Sequence, residues 1–529
     1  MQKTRKYLNL KQSVVLICYF IITLLCLMMA INVFNNSFIS FDGGWNAQVA
    51  ANYAKTGEYE TTWPKNTVFY NVITTGQTML LPAAWIFKLC GLSFETIAFV
   101  PLCFMIGFIL TLYVFIYKMI KELLINNQRN ENKHYVLSHI VSLIILVIMW
   151  SVLRLVNYSF DLCGEGATLF FIIIGLIGIN NYKNESKHIW LIIVGMVFVC
   201  AVVTKMVAIC FVSVALFILI VYIIQNNKVK DILVLLYGMC ITFCVVDFIK
   251  FQQLEYNLIN YIKWWLNYLK YCFGLNQADS NISVIEKMLY YENIFQLQKL
   301  WGILALVIGV LVLAYVGYQG GFKKKWHIPI EVFICGAGGV SYLLVSIFIS
   351  KGGALEARRL VVHFAFFLLY LLMICTQIII ELIGTKRDYR KNNLKRLINI
   401  LVKVCGIVIV CISITRAFGS GLKHLVSLEP DRRQEQELLL EQVTQLPEDA
   451  KLVTMDWRFA SAMSTLRNME IVNMDEVDFK SGSDYYYIAE EYLVQEILNS
   501  FEYNVIYKKN KDSFKPCIVQ LVEWKNTDE

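Results

Sequence analysis

Asp42, Asp161, Glu165, Lys205, Arg358 and Arg359 are the residues of this chain best placed to do chemistry. All stand beside or within long apolar runs. Carboxylates in such places can take or give a proton. Lysine and arginine can offset negative charge building up on a reacting group. Ionisable side chains at membrane depth are costly and commonly mark function. Asp42 follows the first apolar run in "SFDGGW", Asp161 and Glu165 share "NYSFDLCGEGATL", and Lys205 interrupts "AVVTKMVAI". Arg358 and Arg359 lie in "SKGGALEARRL" with Lys351 and Glu356.

The elements that must position them are membrane helices. Of 529 residues, 57% are hydrophobic and only 17% charged, with a mean hydropathy of +0.55. A soluble domain is nearer a quarter charged, and a bilayer core of about 30 Å needs roughly 20 apolar residues per helix. Eleven spans are expected: Ser13–Phe34, Thr96–Tyr117, Leu137–Leu153, Gly166–Ile179, Ile189–Val203, Met206–Ile224, Ile232–Phe248, Trp301–Val316, Ile328–Ile349, Leu360–Ile383 and Leu397–Ile414. The stretch Ile189–Ile224 would be roughly 54 Å long as one helix, so the chain is expected to turn at Thr204-Lys205. Ser13–Phe34 is too long for a signal-peptide core and no small-residue cleavage site follows, so it reads as a retained first helix.

The positive-inside rule sets the orientation. With the N-terminus in the cytoplasm, the clusters around Lys3/Arg5, Lys118/Lys121, Lys183/Lys187, Lys228/Lys230, Lys323–Lys325 and Lys386–Arg396 all fall on the inner side. "TTGQTMLLPAAWIFKLCG", Thr74–Gly91, is then a short interfacial helix on the outer face. The outer segments are the first loop, 35–95, a Trp- and Tyr-rich amphipathic loop, 250–300, and a tail from 416 to 529. The tail opens with the polar helix-former "PDRRQEQELLLEQVTQLPED". "AKLVTMDW", "MEIVNM", "NVIYKK" and "CIVQLVE" read as strands, with a helix at "EEYLVQEILNSF". The expected architecture is therefore an α-helical polytopic membrane domain, 1–415, followed by a small extracytoplasmic α/β domain. The net charge of +8 is spread through topology signals rather than any nucleic-acid motif. Most of the fifteen cysteines sit inside apolar runs, with neither a disulfide framework nor a CxxC metal site.

Each candidate also has a plainer reading. Asp42 could cap a helix beginning at Gly43. Glu165 could cap the following helix or pair with Arg154. Lys205 could punctuate a hairpin, and Arg358 and Arg359 could snorkel to the interface. Asp247 and Glu381, near helix ends, read as solvated. No HExxH, P-loop or GxSxG is present.

The layout resembles GT-C glycosyltransferases that use polyprenyl-phosphate sugars, of the protein O-mannosyltransferase and lipid A aminoarabinose transferase types. "SFDGGWNAQVAANYAKTGEY" resembles their first outer loop, with Asp42 as the acid and Ala51, Tyr53 and Gly57 fitting the short helix after it. Thr74–Gly91 resembles their juxtamembrane helix, "DLCGEGATLFF" their GE segment, "AVVTKMVAI" their TK turn and "EARRLVVHFAFFLL" the Arg-containing start of a late helix. The chain departs from them at Gly43, where many relatives carry a second acid, and lacks their His-Pro-Pro stretch.

The resemblance implies inverting sugar transfer on the outer face from a polyprenyl-phosphate donor to a glycan, lipid or protein acceptor. It casts Asp42 as general base, with Glu165 and Asp161 as further acids. Lys205, Arg358 and Arg359 then face the donor phosphate, and the aromatics of Tyr256–Tyr271 seat its lipid. The motifs fix no cofactor, and a divalent metal is compatible with the acids. The competing class is a multi-pass transporter or flippase, for which repeated halves and helices broken at mid-membrane would be expected; neither is visible. A sensory or assembly role for the tail ranks below both.

Overall fold

The computed structural model describes residues 2–62, 67–70, 72–127, 131–273, 328–349, 357–384, 431–447, 451–454, 471–473, 485–490, 501–508 and 516–524, with a few single residues and short pieces between them. Its helices are α1 (Gln2–Asn36), α2 (Phe41–Thr56), α3 (Gln77–Cys90), α4 (Phe94–Asn127), α5 (Glu131–Leu153), α6 (Glu165–Glu185), α7 (His188–Thr204), α8 (Ala208–Gln225), α9 (Lys230–Gln253), α10 (Leu258–Cys272), α11 (Ile330–Phe348), α12 (Ala357–Gly384) and α13 (Asp431–Val443).

Eight of these are long and apolar enough to cross a membrane, and α7 is a shorter apolar helix. These nine match nine of the eleven expected spans. Leu397–Ile414 and most of Trp301–Val316 lie outside the described residues. The protein is a multi-pass α-helical membrane protein. Chain reversal at Thr204-Lys205 occurs as the length argument requires: α7 ends at Thr204 and α8 begins at Ala208. Helix α3 has 14 residues, too few to span. It buries Leu80, Ala83 and Phe87 while Trp85 and Leu89 stay exposed, which suits a helix lying in the interface.

Helix α7 packs against α6 and α9, and α11 packs against α8 and α12. Small residues let two of these backbones touch. A Cβ on Gly195 would meet Leu235 O of α9 at 2.5 Å, and one on Gly238 would meet Ile192 O of α7 at 2.5 Å, the close packing typical of membrane helices.

The basic ends of the bundle meet. Lys118 of α4 donates to Asn181 of α6 at 2.6 Å, Lys183 of α6 bonds Glu122 of α4 at 3.0 Å, and Lys228, after α8, donates to Ser186 at 2.9 Å. Lys183 also reaches the fully buried Glu331 of α11 at 3.3 Å. Glu165 and Lys205 sit at the other ends of α6 and α7.

A second hydrophobic cluster lies at that opposite end. It joins α2, α3 and the start of α4 to Leu162 and to Leu439, Leu440 and Val443 of α13. The tail's first helix is thus built into this cluster, not hung from it. Two short antiparallel strands, β1 (Glu60–Thr61) and β2 (Thr67–Val68), follow α2, and beyond α13 the strands β3 (Lys451–Thr454), β4 (Ile471–Asn473), β5 (Tyr485–Glu490), β6 (Phe501–Lys508) and β7 (Pro516–Trp524) form a five-stranded sheet of order β4-β3-β5-β7-β6. Strand β3 is parallel to β4 and β5, while β7 runs antiparallel to β5 and β6. The expected strands are β3, β4, β6 and β7; the central strand β5 was not anticipated. Residues 491–500, within the helix expected at "EEYLVQEILNSF", lie outside the described residues.

Candidate functional site

Asp42 is not a helix cap. Helix α2 begins at Phe41, and Ser40 is its N-cap, accepting a hydrogen bond from Gly43 N at 3.0 Å through its side-chain oxygen. Asp42 occupies the second helical position, half-exposed, in the first turn, where a carboxylate complements the helix dipole. The capping alternative for Asp42 is therefore corrected.

Asp161 is buried, and it faces the same turn. Ser40 Oγ donates to its Oδ2 at 2.5 Å. A Cβ placed on Gly43 would lie 1.7 Å from Asp161 Oδ1. The carboxylate of Asp161 thus fills the space that a side chain at position 43 would take. Gly43→Ala is expected to lower stability by about 1–3 kcal/mol, the usual range for overpacking, read as a fall in Tm. Adding Asp161→Ala should recover part of that loss, because it removes the obstructing group; a double variant no better than the sum of its parts would show that the two do not contact.

Glu165 is the first residue of α6, next to its cap Gly164. Gly164 has φ +85°, a left-handed conformation that glycine adopts without steric cost. Glu165 pairs with Lys205, not with the alternative partner Arg154: Lys205 Nζ donates to Glu165 Oε1, and to Cys163 O at 3.0 Å. Both side chains are almost fully buried, at 6% and 2% exposure. Lys205 lies just past the end of α7, in an antiparallel bridge with Thr75.

Thr75 and Gly76 join these pieces. Gly76 N donates to Thr204 O at 2.9 Å. Thr78 and Thr204 share a hydroxyl–hydroxyl bond of 2.6 Å. Asn46 of α2 donates from Nδ2 to Thr75 Oγ1 at 3.1 Å and to Leu162 O at 2.7 Å. One amide therefore ties the Asp42 helix both to the Lys205 bridge and to the segment holding Asp161 and Glu165.

Arg358 and Arg359 are the second and third residues of α12; their side chains, and Lys351 and Glu356, lie outside the described residues. Leu360, next in the chain, packs with Val207, two residues past Lys205, alongside Tyr342 and Ile347. The first turn of α12 thus adjoins the α7–α8 turn.

Asp247 is not solvated, which corrects the expectation for that residue. It is 2% exposed, as is Lys250, and the two form an ion pair of 2.7 Å. Asp247 also accepts from Gln77 Nε2 at 3.2 Å, Trp265 Nε1 at 2.9 Å and the Tyr261 hydroxyl. The Lys250 ammonium lies 3.9 Å and 4.0 Å from the ring centres of Trp264 and Trp265, within cation–π range. Burial, followed by the charge of Asp247, pushes the Tyr59 phenol up, so it stays protonated. The side chain of Glu381 lies outside the described residues. Sequence reasoning missed the Asp247–Lys250 pair. The available signal was its i,i+3 spacing directly before the aromatic run of α10.

Among the described residues no three His, Cys, Asp or Glu side chains gather where they could hold a metal ion.

The fold is the GT-C-like membrane architecture. The chain resembles the crystal structure of ArnT from Cupriavidus metallidurans bound to undecaprenyl phosphate, with a TM-score of 0.54, 10% identity, and coverage of 96% of this chain and 97% of that one. The apo structure of the same protein aligns at a TM-score of 0.49 and 9% identity, over 98% of each chain, too loose a match to add to the argument. No family model matches the chain, and no curated protein matches its sequence.

Proposed function

We propose that this protein is an inverting glycosyltransferase. It moves a sugar from a polyprenyl-phosphate donor to a cell-envelope acceptor, a glycan, lipid or protein, at the outer face of the membrane. The observation that carries this reading is the gathering of Asp161, Glu165 and Lys205 around the α2 turn that bears Asp42, tied together by Asn46, Thr75 and Ser40. The GT-C-like fold supports it, and the ArnT structure it resembles holds undecaprenyl phosphate.

In the proposed reaction an acceptor hydroxyl attacks the anomeric carbon from the face opposite the phosphate. The new bond forms as the bond from that carbon to the phosphate oxygen breaks, so the configuration inverts. Asp42 takes the hydroxyl proton. The electron pair of the broken bond leaves with the polyprenyl phosphate. Lys205, in its pair with Glu165, and Arg358 and Arg359 at the start of α12 offset the charge gained there. Asp161 holds the α2 turn through Ser40. The aromatic face of α10 seats the lipid at the level of Lys250.

The direct test is transfer from a polyprenyl-phosphate sugar by the purified full chain, paired with mass spectrometry of surface glycans with and without the protein. A missing glycan mass without the protein supports the reading; unchanged glycans and no transfer overturn it. The proposed architecture, a membrane domain over 1–415 and an outer domain over 416–529, also fixes an orientation. In Glu58→Cys, where residue 58 is exposed, a membrane-impermeant thiol reagent should label intact cells. Labelling confined to inverted vesicles would reverse the topology.

A further inference from the structure

Between α1, which ends at Asn36, and α2, which begins at Phe41, lie four residues, Ser37–Ser40. This short link sets where the first turn of α2 sits, and with it Asp42. One side chain takes up both backbone polar groups in the middle of the link. Gln436 of α13 accepts from Ile39 N through Oε1 at 2.8 Å and donates from Nε2 to Ile39 O at 2.7 Å. A primary amide can do this because it carries a donor and an acceptor side by side.

The neighbouring contacts fix where that amide stands. Arg433, three residues earlier on α13, donates from Nη1 to Phe34 O at 3.2 Å and from Nη2 to Glu95 Oε1 at 2.5 Å. Its guanidinium lies 4.4 Å from the ring centre of Phe94. Leu428 N, just before α13, donates to Asn32 Oδ1 at 2.6 Å. Leu439, Leu440 and Val443 are buried in one cluster with Ile39 and Trp45. The link is thus gripped on one side by α13, while the Ser40–Asp161 bond grips it on the other.

We infer that Gln436 is a positioning residue: the tail helix α13 clamps the Ile39 backbone and so sets the aim of Asp42. This rests on the proposed transferase reading for its consequence, though the clamp itself does not. A simple anchor for the tail would need only the buried leucines and the Arg433 bonds. Gln436 adds two bonds directed at a backbone three residues before the proposed base.

The test uses the full chain in lipid nanodiscs and two variants. Gln436→Met keeps the bulk and loses both bonds. Gln436→Glu keeps the acceptor for Ile39 N–H and loses the donor to Ile39 O. Deuterium uptake over 37–45 should rise in Gln436→Met, with uptake in α6 and α9 and the Tm unchanged. Transfer by that variant should show kcat lower by roughly tenfold to a hundredfold, the scale on which small misplacements act, with the donor KM held. Gln436→Glu should fall between it and the unaltered protein. Unchanged uptake over 37–45 overturns the clamp. Raised uptake with unaltered kcat, or an equal loss in both variants with a lower Tm, overturns the positioning role. If the unaltered protein transfers no sugar, the transferase reading fails, and the uptake measurement still decides the clamp because it needs no substrate.

Discussion

Asp42→Asn protein is expected to fold, insert and bind the donor, and to transfer sugar more slowly by a factor on the order of 10²–10⁴, the usual contribution of a general base. The side chains are nearly equal in size, and the cap of α2 is untouched because Ser40 supplies it. What the helix loses is one negative charge in its first turn, worth about 0.3–1 kcal/mol at most exposed sites. A large fall in rate with a small change in Tm therefore isolates proton transfer from folding. The measurement is single-turnover transfer from a polyprenyl-phosphate sugar, with donor affinity determined on the same preparation. Normal turnover would reduce Asp42 to a complement of the helix dipole and move the search for the base to Asp161 or Glu165. Both are already engaged, Asp161 with Ser40 and Glu165 with Lys205.

The second large effect is on stability as well as binding. Lys205→Met leaves the Glu165 carboxylate buried without its ammonium, and breaking such a pair from one side costs roughly 3–5 kcal/mol. Replacing both partners, Lys205→Met with Glu165→Gln, removes the stranded charge and should return most of the lost Tm, since neutral replacement of a buried pair is often tolerated. Donor affinity should not return with it. If the double variant binds polyprenyl phosphate as well as the unaltered protein does, Lys205 serves packing at the α7–α8 turn and has no role toward phosphate. If binding stays weak while the Tm recovers, the two contributions of the lysine are separated.

The spans were legible because each apolar run is long and its basic flanks are distinct. The reversal at Thr204-Lys205 was legible from length alone. The start of α2 was harder, since Ser40 and Asp42 are both good caps; only the bond from Gly43 to Ser40 Oγ decides between them. The GE segment and the TK turn were each visible, yet nothing in their spacing says that Glu165 and Lys205, 40 residues apart, form a pair. Asp247 looked solvated because it closes an apolar run, and Lys250, just after it, drew no attention as a partner. They are buried because α10 folds back over them with Tyr261 and Trp265. The part played by Gln436 left no trace in composition, since a neutral amide in a polar helix looks the same whether it meets water or a distant backbone. Strand β5 was lost for a different reason: "YYYIAE" shows no alternation of polar and apolar residues, the pattern by which a half-buried strand is read from sequence.

Helix α7 has 17 residues and so rises about 26 Å, short of the roughly 30 Å of a typical hydrocarbon core. The lipid around it must adapt, and a bilayer meets a short helix by thinning. On the proposed transferase reading, a thinner bilayer beside α7 brings a lipid-linked phosphate nearer the depth of the Lys205 turn, so donor capture is expected to weaken in thicker bilayers without any change to a residue of the site.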